Sequence, residues 1–509
     1  MYLINGLISI PKISVTSDEG SHIDYGLRFI QGDPNRYNAE KDNSKMPINI
    51  LNTLPRVVEQ LANTNLEKTD YGHSDAVNGR YITLLFSVLT ILLIFIWATD
   101  LFGVNAGLFA AFLFSWCPNN LAAATLSTTD AYSSFFLTAT LYFFYKYCNN
   151  INTRNFIYFS IFIALSQLAK QSLFHLYPLC LLSLIGYFIY NKTSINYKLV
   201  GTSVLIFGAI NFLILNAGFL FNKMFIPIGQ YHFMSNAFLD IQHTLPKNWV
   251  VPFTKAFVDG LDMVKYYNQI GGGRTGIIES SFGNVTILNH SSTGGSFWYF
   301  YFVSIWFKTP IPYFILFISA LSISYRNKFA NFKNSLFFLL LPAAYFIFTL
   351  NFFYNTQCGI RHIIFIYPLL IIFSSQLIIY LHSKWIKVAT TLLCLWLIIS
   401  VTIYKENCFA YTNEFILNKT YAYKKVGASN LNIGQAKYIL RNYLNKNPSV
   451  TVAPVTPSIG TFVVSVDNYL NIWNDDKNKW LKNIEPIASI ANGVYLIIKV
   501  TPQKLADVK

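Results

Sequence analysis

Long apolar runs alternate with short polar connections along most of this chain, with little amphipathic period inside the runs. The clearest are ITLLFSVLTILLIFIWATDLF at 82–102 and LVGTSVLIFGAINFLILNAGFLF at 199–221. Each supplies the ~20 apolar residues that a helix needs to cross a bilayer. The same pattern predicts spans near 81–99, 104–118, 131–147, 156–169, 172–190, 198–222, 296–324, 335–353, 361–381 and 386–404. The opening MYLINGLISIPKIS is apolar but short and reads as the outer end of a truncated first span. The expected fold is therefore a polytopic α-helical membrane protein of about 11 transmembrane helices, the first truncated.

Three polar stretches interrupt this pattern. Residues 15–80 form a first large loop, partly helical at INILNTLPRVVEQLANT, and 223–295 form a second within the membrane domain 1–404. The tail, 405–509, changes character: a helical IGQAKYILRNYLNKN precedes the strand-like VTVAPV, TFVVSV and GVYLIIKV. Periods of 3.6 and then 2 predict a small α/β domain there.

Composition agrees, with 53% hydrophobic and only 12% charged residues against roughly 25% charged in a soluble domain. The net charge of +15 would point to nucleic acid in a soluble chain, but no binding motif accompanies it. Much of the excess sits in short loops: Lys146 and Arg154; Lys192 and Lys198; Arg326, Lys328 and Lys333; Lys384 and Lys387. Basic loops face the cytoplasm. Counting crossings then puts 15–80, the Asp130 turn, 223–295, 354–362 and the tail outside, in a bacterial inner or plasma membrane. Lys170 and Arg361 are basic exceptions on the outer side, and Asp100 is an acid on the inner side. The six cysteines are scattered without a CxxC, so neither a disulfide framework nor a zinc site is expected.

Topology brings candidate chemistry together. Asp18 and Glu19 stand in SVTSDEGSHIDYG, and Asp130 stands in LSTTDAY two crossings later, hence on the same face. Carboxylates near hydrocarbon are costly and tend to be retained for function. One can take a proton from an acceptor hydroxyl or amine; the plainer reading is a helix cap or a solvated loop acid. His22 lies one helical turn after Asp18, which leaves a divalent metal as a candidate cofactor, without a visible third ligand. Lys45 in NSKMPIN, Lys308 in WFKTPIPY, and Arg361 with His362 in CGIRHIIFIYP are cations near the outer boundary. They either snorkel to the interface or neutralise a phosphate. Pro310 predicts a broken helix with exposed backbone groups after Lys308. GGGRTG at 271–276 lacks the ending of a phosphate loop and reads as a turn.

The order of these pieces resembles the GT-C glycosyltransferases, specifically the protein O-mannosyltransferase-like family with its bacterial aminoarabinose-transferase relatives. The resemblance rests on the DE pair, on the stretch from GRYITLLFSV to LSTTDAYSSFF, on GGSFWYFYFVSIWFKTPIPYF and on GIRHIIFIYPLLIIF. It also rests on GASNLNIGQAKYILRNYL, where a bacterial subgroup carries Ser-Asn-x-Asp-Trp-Gly-Gln and this chain has Asn432 and Ile433 in place of Asp-Trp. It implies a polyprenyl-phosphate sugar as donor, inverting transfer at the extracytoplasmic face, and a protein, lipid or glycan acceptor. Asp18 would be the general base, with Glu19 and Asp130 orienting the acceptor or the base. Lys45, Lys308 and Arg361 would neutralise the leaving lipid phosphate, with His362, His22 and Tyr299 as further substrate contacts. A transporter or flippase of a lipid-linked intermediate is the alternative, but such proteins put charges mid-span and often show inverted repeats, and neither is visible here.

Overall fold

The computed structural model describes residues 1–62, 73–191, 197–270, 273–274, 282–293, 296–326, 332–473 and 475–506. Helices cover every span expected from the apolar pattern: His73–Phe102, Val104–Ser115, Asp130–Asn149, Thr153–Ala169, Leu176–Asn191, Tyr197–Gly218, Phe300–Lys308 with Ile311–Arg326, Leu341–Phe352, Tyr367–Ser375 and Lys384–Tyr404. Among the described residues, six helices are long and apolar enough to cross a membrane, or up to seven if the bent pair is one span. That is fewer than the sequence pattern predicts. Val104–Ser115 is short, whereas Asp130–Asn149 is long but carries many polar residues. The latter is packed on nearly all sides, so lipid does not select its composition. Its buried Thr138 and Thr140 return their hydroxyls to the carbonyls of Ser134 and Phe136 at 2.6 and 2.7 Å, which meets the hydrogen-bonding demand of a dry interior.

Two breaks shape the bundle. After Ala169 the chain goes extended at Lys170 (φ −159°, ψ 131°), so two apolar segments meet at a corner rather than merging. Before Pro310, Thr309 is held extended, as the proline ring requires, and the flanking helices bend by 105°. The expected break is therefore present. Its backbone groups are occupied, however: Asn413 Nδ2 donates to Trp306 O and Thr309 O at 2.6 and 2.9 Å. On the basic-loop side, Asp100 accepts from Lys146 at 3.1 Å, which accounts for an acid in that position.

In the first loop, helices Glu19–Ile30 and Asn49–Ala62 pack on the start of His73–Phe102. Gly79 lies at the contact: a Cβ there would come within 2.7 Å of Asn52 O and Ser127 Oγ. The second loop contains helices Asn236–Thr244 and Lys255–Ile270 and the hairpin of Phe282–Ile287 with His290–Thr293. Within the GGGRTG stretch, Gly273–Arg274 form a short strand paired antiparallel with Gly283 and Phe282; residues 271–272 and 275–276, and with them the expected turn, lie outside the described residues. In the tail, helix Lys437–Lys446 precedes a four-stranded sheet in the order Val450–Val452, Gly460–Ser465, Tyr495–Val500, Ala488–Ile490. The first pair is parallel and the other two are antiparallel. Phe462, Val464, Leu496 and Ile498 face one apolar cluster, while Val463 and Tyr495 meet Leu440 and Leu444 of the helix in another. The alternation read from the sequence thus has a core on both faces.

Candidate active site

Asp18 stands just before helix Glu19–Ile30. Its carboxylate Oδ2 lies 2.5 Å from Arg361 Nη1, in an ion pair that is only partly exposed. Lys45 and His22 lie within electrostatic reach of the same group. Burial alone would raise the Asp18 pKa, but the positive charges of Arg361 and Lys45 outweigh it and hold the carboxyl well below the usual carboxylate range. Asp18 is therefore ionised at neutral pH.

Asp130 opens helix Asp130–Asn149 and is buried. Lys170 Nζ donates to its Oδ1 at 2.6 Å, from the corner that the extended Lys170 creates. Thr128 Oγ1 donates to Oδ2 at 3.2 Å. Arg361 feels both Asp18 and Asp130, and His362 beside it feels Lys170, Asp130 and Asp18. Arg361 Nε is buried and, among the described residues, has no hydrogen-bond partner, so there the guanidinium keeps donor capacity beyond the Asp18 pair.

Lys45 is buried, and among the described residues its ammonium reaches only Ser44 Oγ, at 3.3 Å. Its backbone is fixed by Arg36 Nη2, which donates to Lys45 O at 2.8 Å. Burial lowers its pKa to about 8, against the opposing pull of Asp18. His22 is buried next to Asn49, and burial with Lys45 brings it to about 3. It is a neutral imidazole at pH 7. Among the described residues its Nδ1 has no hydrogen-bond partner.

Six of the sequence candidates thus form one cluster: Asp18, Asp130, Lys45, Arg361, His362 and His22. Lys170 joins them. The two carboxylates face three cations, so one positive charge is unmatched. Such a cluster can hold an anion and retain an ionised carboxylate beside it.

Three candidates take other positions. Glu19 is fully buried and saturated. It accepts from Arg80 Nε and Nη2 at 2.7 and 2.6 Å, from Ser127 N at 2.9 Å, and from Thr16 N and Oγ1 at 2.9 and 3.0 Å. Arg80 also donates to the carbonyls of Ile10, Ile13 and Ser14 at 3.1, 2.7 and 2.9 Å. Glu19 is a brace between the first loop, the first long helix and the Ser127 turn, with no lone pair left for a substrate. Lys308 is likewise buried, and its ammonium donates to Phe409 O and Asn430 O at 2.6 Å each. That commits it to the tail rather than to a phosphate. Tyr299 is half-buried and packs on Phe297 and Trp298 with ring centroids 5.5 Å away, and no bond ties it to the cluster among the described residues.

Sequence reading passed over Arg80 and Lys170. Lys170 had a signal, as one of two basic exceptions to the loop-charge pattern. Arg80 opens a long apolar run, a place where a charge needs a partner. Among the described residues, no group of three or more His, Cys, Asp or Glu side chains is arranged to hold a metal ion.

This is a polytopic helical membrane protein with a small α/β tail. Residues 71–217 match the family model described as dolichyl-phosphate-mannose-protein mannosyltransferase, which bears out the sequence resemblance to that family over this stretch. Solved structures with a similar course include ArnT from Cupriavidus metallidurans bound to undecaprenyl phosphate, at 12% identity over 99% of this chain and 97% of that chain, TM-score 0.48. The oligosaccharyltransferase of Archaeoglobus fulgidus is similar at 11% identity over 83% of this chain and 57% of that one, TM-score 0.48. AglB from the same organism, in complex with an inhibitory peptide and a dolichol-phosphate, gives 12% identity, coverages of 85% and 59%, and TM-score 0.46. No curated protein matches the chain.

Proposed function

We propose that this protein is a membrane glycosyltransferase that moves a sugar from a polyprenyl-phosphate donor to an acceptor at the extracytoplasmic face, with inversion. The observation that carries this reading is the Asp18–Arg361 pair inside a cluster with surplus positive charge. The match at 71–217 supports the reaction class.

In this reading Asp18 takes the proton of an acceptor hydroxyl or amine. The acceptor atom forms a bond to the anomeric carbon while the bond from that carbon to the phosphate oxygen breaks. The lipid phosphate leaves with the electron pair. Arg361 and Lys45 stabilise the charge that gathers on it, the kind of preorganised electrostatic contribution that is often the largest in catalysis. Asp130 orients the reacting groups and is itself held by Lys170. A carboxylate paired with Arg361 is a weak base. A phosphate that draws Arg361 toward itself raises the basicity of Asp18, so donor binding and base activation are coupled. Acceptors that fit are a protein, a lipid or a glycan, in a bacterial inner or plasma membrane.

The test is transfer from polyprenyl-phosphate sugars by purified protein. Asp18→Asn should retain fold and insertion but lose transfer by at least about a hundredfold, the range of general-base contributions. Transfer at the wild-type rate by that variant would remove Asp18 as the base.

A further inference from the structure

Asp18 and Arg361 come from distant parts of the chain, and one short segment of the tail touches the backbone next to both. Residues 14–17 lie along 433–437. Ser14 N donates to Gln435 O at 3.1 Å and Ser17 N to Ile433 O at 3.0 Å. Ser14 Oγ donates to Gly434 O at 2.6 Å and accepts from Lys437 N at 3.0 Å. Asp18 follows directly. On the other side, Asn430 Oδ1 accepts from Ile360 N at 2.8 Å, one residue before Arg361. Gly359 allows that approach: its φ is +89°, and a Cβ would fall 2.6 Å from Ser429 O.

The segment between these contacts is internally stapled. Asn430 Nδ2 donates to Val426 O at 2.9 Å and to Ser304 Oγ at 3.0 Å. Gln435 Nε2 donates to Leu431 O at 2.8 Å and to Asn407 Oδ1 at 3.1 Å, while its Oε1 accepts from Ile433 N at 2.8 Å. Lys308 binds the Asn430 carbonyl. Asn430, Gln435 and Ser14 are all buried. A buried, satisfied network of this kind has one low-energy arrangement.

We propose that residues 429–437 clamp Asp18 and Arg361 at their mutual distance, with Asn430 as the positioning residue that acts through Arg361. The inference rests on the reading of the cluster as a lipid-phosphate site. It also gives the Ser-Asn…Gly-Gln part of the tail motif a role that does not involve touching substrate.

The probe is undecaprenyl phosphate, titrated in detergent against the full-length protein. Wild type should bind it, and failure to bind defeats the lipid-phosphate reading. Asn430→Ala should weaken binding about tenfold, the order expected when a buried amide loses its partner. In an Arg361→Gln background the same change should add nothing, because its effect runs through Arg361. Unchanged affinity of Asn430→Ala, or losses that multiply in the double variant, would overturn the clamp. A second measurement needs neither variant nor ligand. In the unaltered protein, the Ser17 and Ile360 amides should be protected from hydrogen exchange as strongly as those of helix Lys437–Lys446. Exchange of either amide at the rate of open peptide overturns the clamp, whatever the binding result.

Discussion

Arg361 Nη1 lies 2.5 Å from Asp18 Oδ2 and joins the first loop to the start of a late apolar helix. The pair sets the ionisation of the proposed base and orients the cation proposed to receive the leaving phosphate. Its consequences can be measured separately.

Acid stability should report the pair. The folded pKa of Asp18 lies below its unfolded value near 4. Its contribution to stability is therefore complete above about pH 4 and is lost as pH falls through the folded value. Thermal unfolding in detergent between pH 7 and pH 3 should show a steeper acid loss for wild type than for Asp18→Asn. Parallel curves would mean that Arg361 does not stabilise the ionised form.

Glu19 should behave as a brace. Glu19→Ala leaves Arg80 charged, buried and without its carboxylate, so unfolding free energy should fall by about 3–5 kcal/mol. The loss should appear in the melting temperature and in the yield of inserted protein. A stable Glu19→Ala protein with abolished transfer would instead return Glu19 to the reacting groups.

Lys170 should matter through Asp130. Lys170→Met removes the partner at 2.6 Å and leaves a buried carboxylate, so transfer should fall while donor binding changes less. Asp130→Asn in that background should restore stability, since the uncompensated charge is gone. A Lys170→Met protein that transfers normally would contradict the proposed positioning role of Asp130.

Lys308→Met should lower stability by about 1–3 kcal/mol, because two buried carbonyls lose a charged donor, read as a drop in melting temperature. Affinity for undecaprenyl phosphate should fall only as far as the clamp loosens. A loss as large as that of Arg361→Gln would place Lys308 on the phosphate.

The helical course was legible from apolar runs, and the convergence of Asp18, Asp130 and Arg361 from crossing parity and loop charge. Both signals depend on the bilayer, which sorts residues by polarity over whole segments. The inward roles of Glu19 and Lys308 were not legible. Glu19 and Asp18 are adjacent acids, and only the position of Arg80 decides which one turns inside. Lys308 is satisfied by carbonyls of Phe409 and Asn430, and every residue type carries a carbonyl. Length and hydropathy alone do not pick out every helix that lies at an expected span. Helix Asp130–Asn149 is shielded by neighbours, so apolar length does not report its position.

The most direct test of the central claim is the affinity of undecaprenyl phosphate for wild type and for Arg361→Gln, measured side by side in detergent at moderate salt. Saturable binding by wild type and a loss of tenfold or more in the variant are predicted, in line with a charge-assisted contact to phosphate. Equal affinities for the two proteins, or no saturable binding by wild type, would contradict a lipid-phosphate site at Arg361.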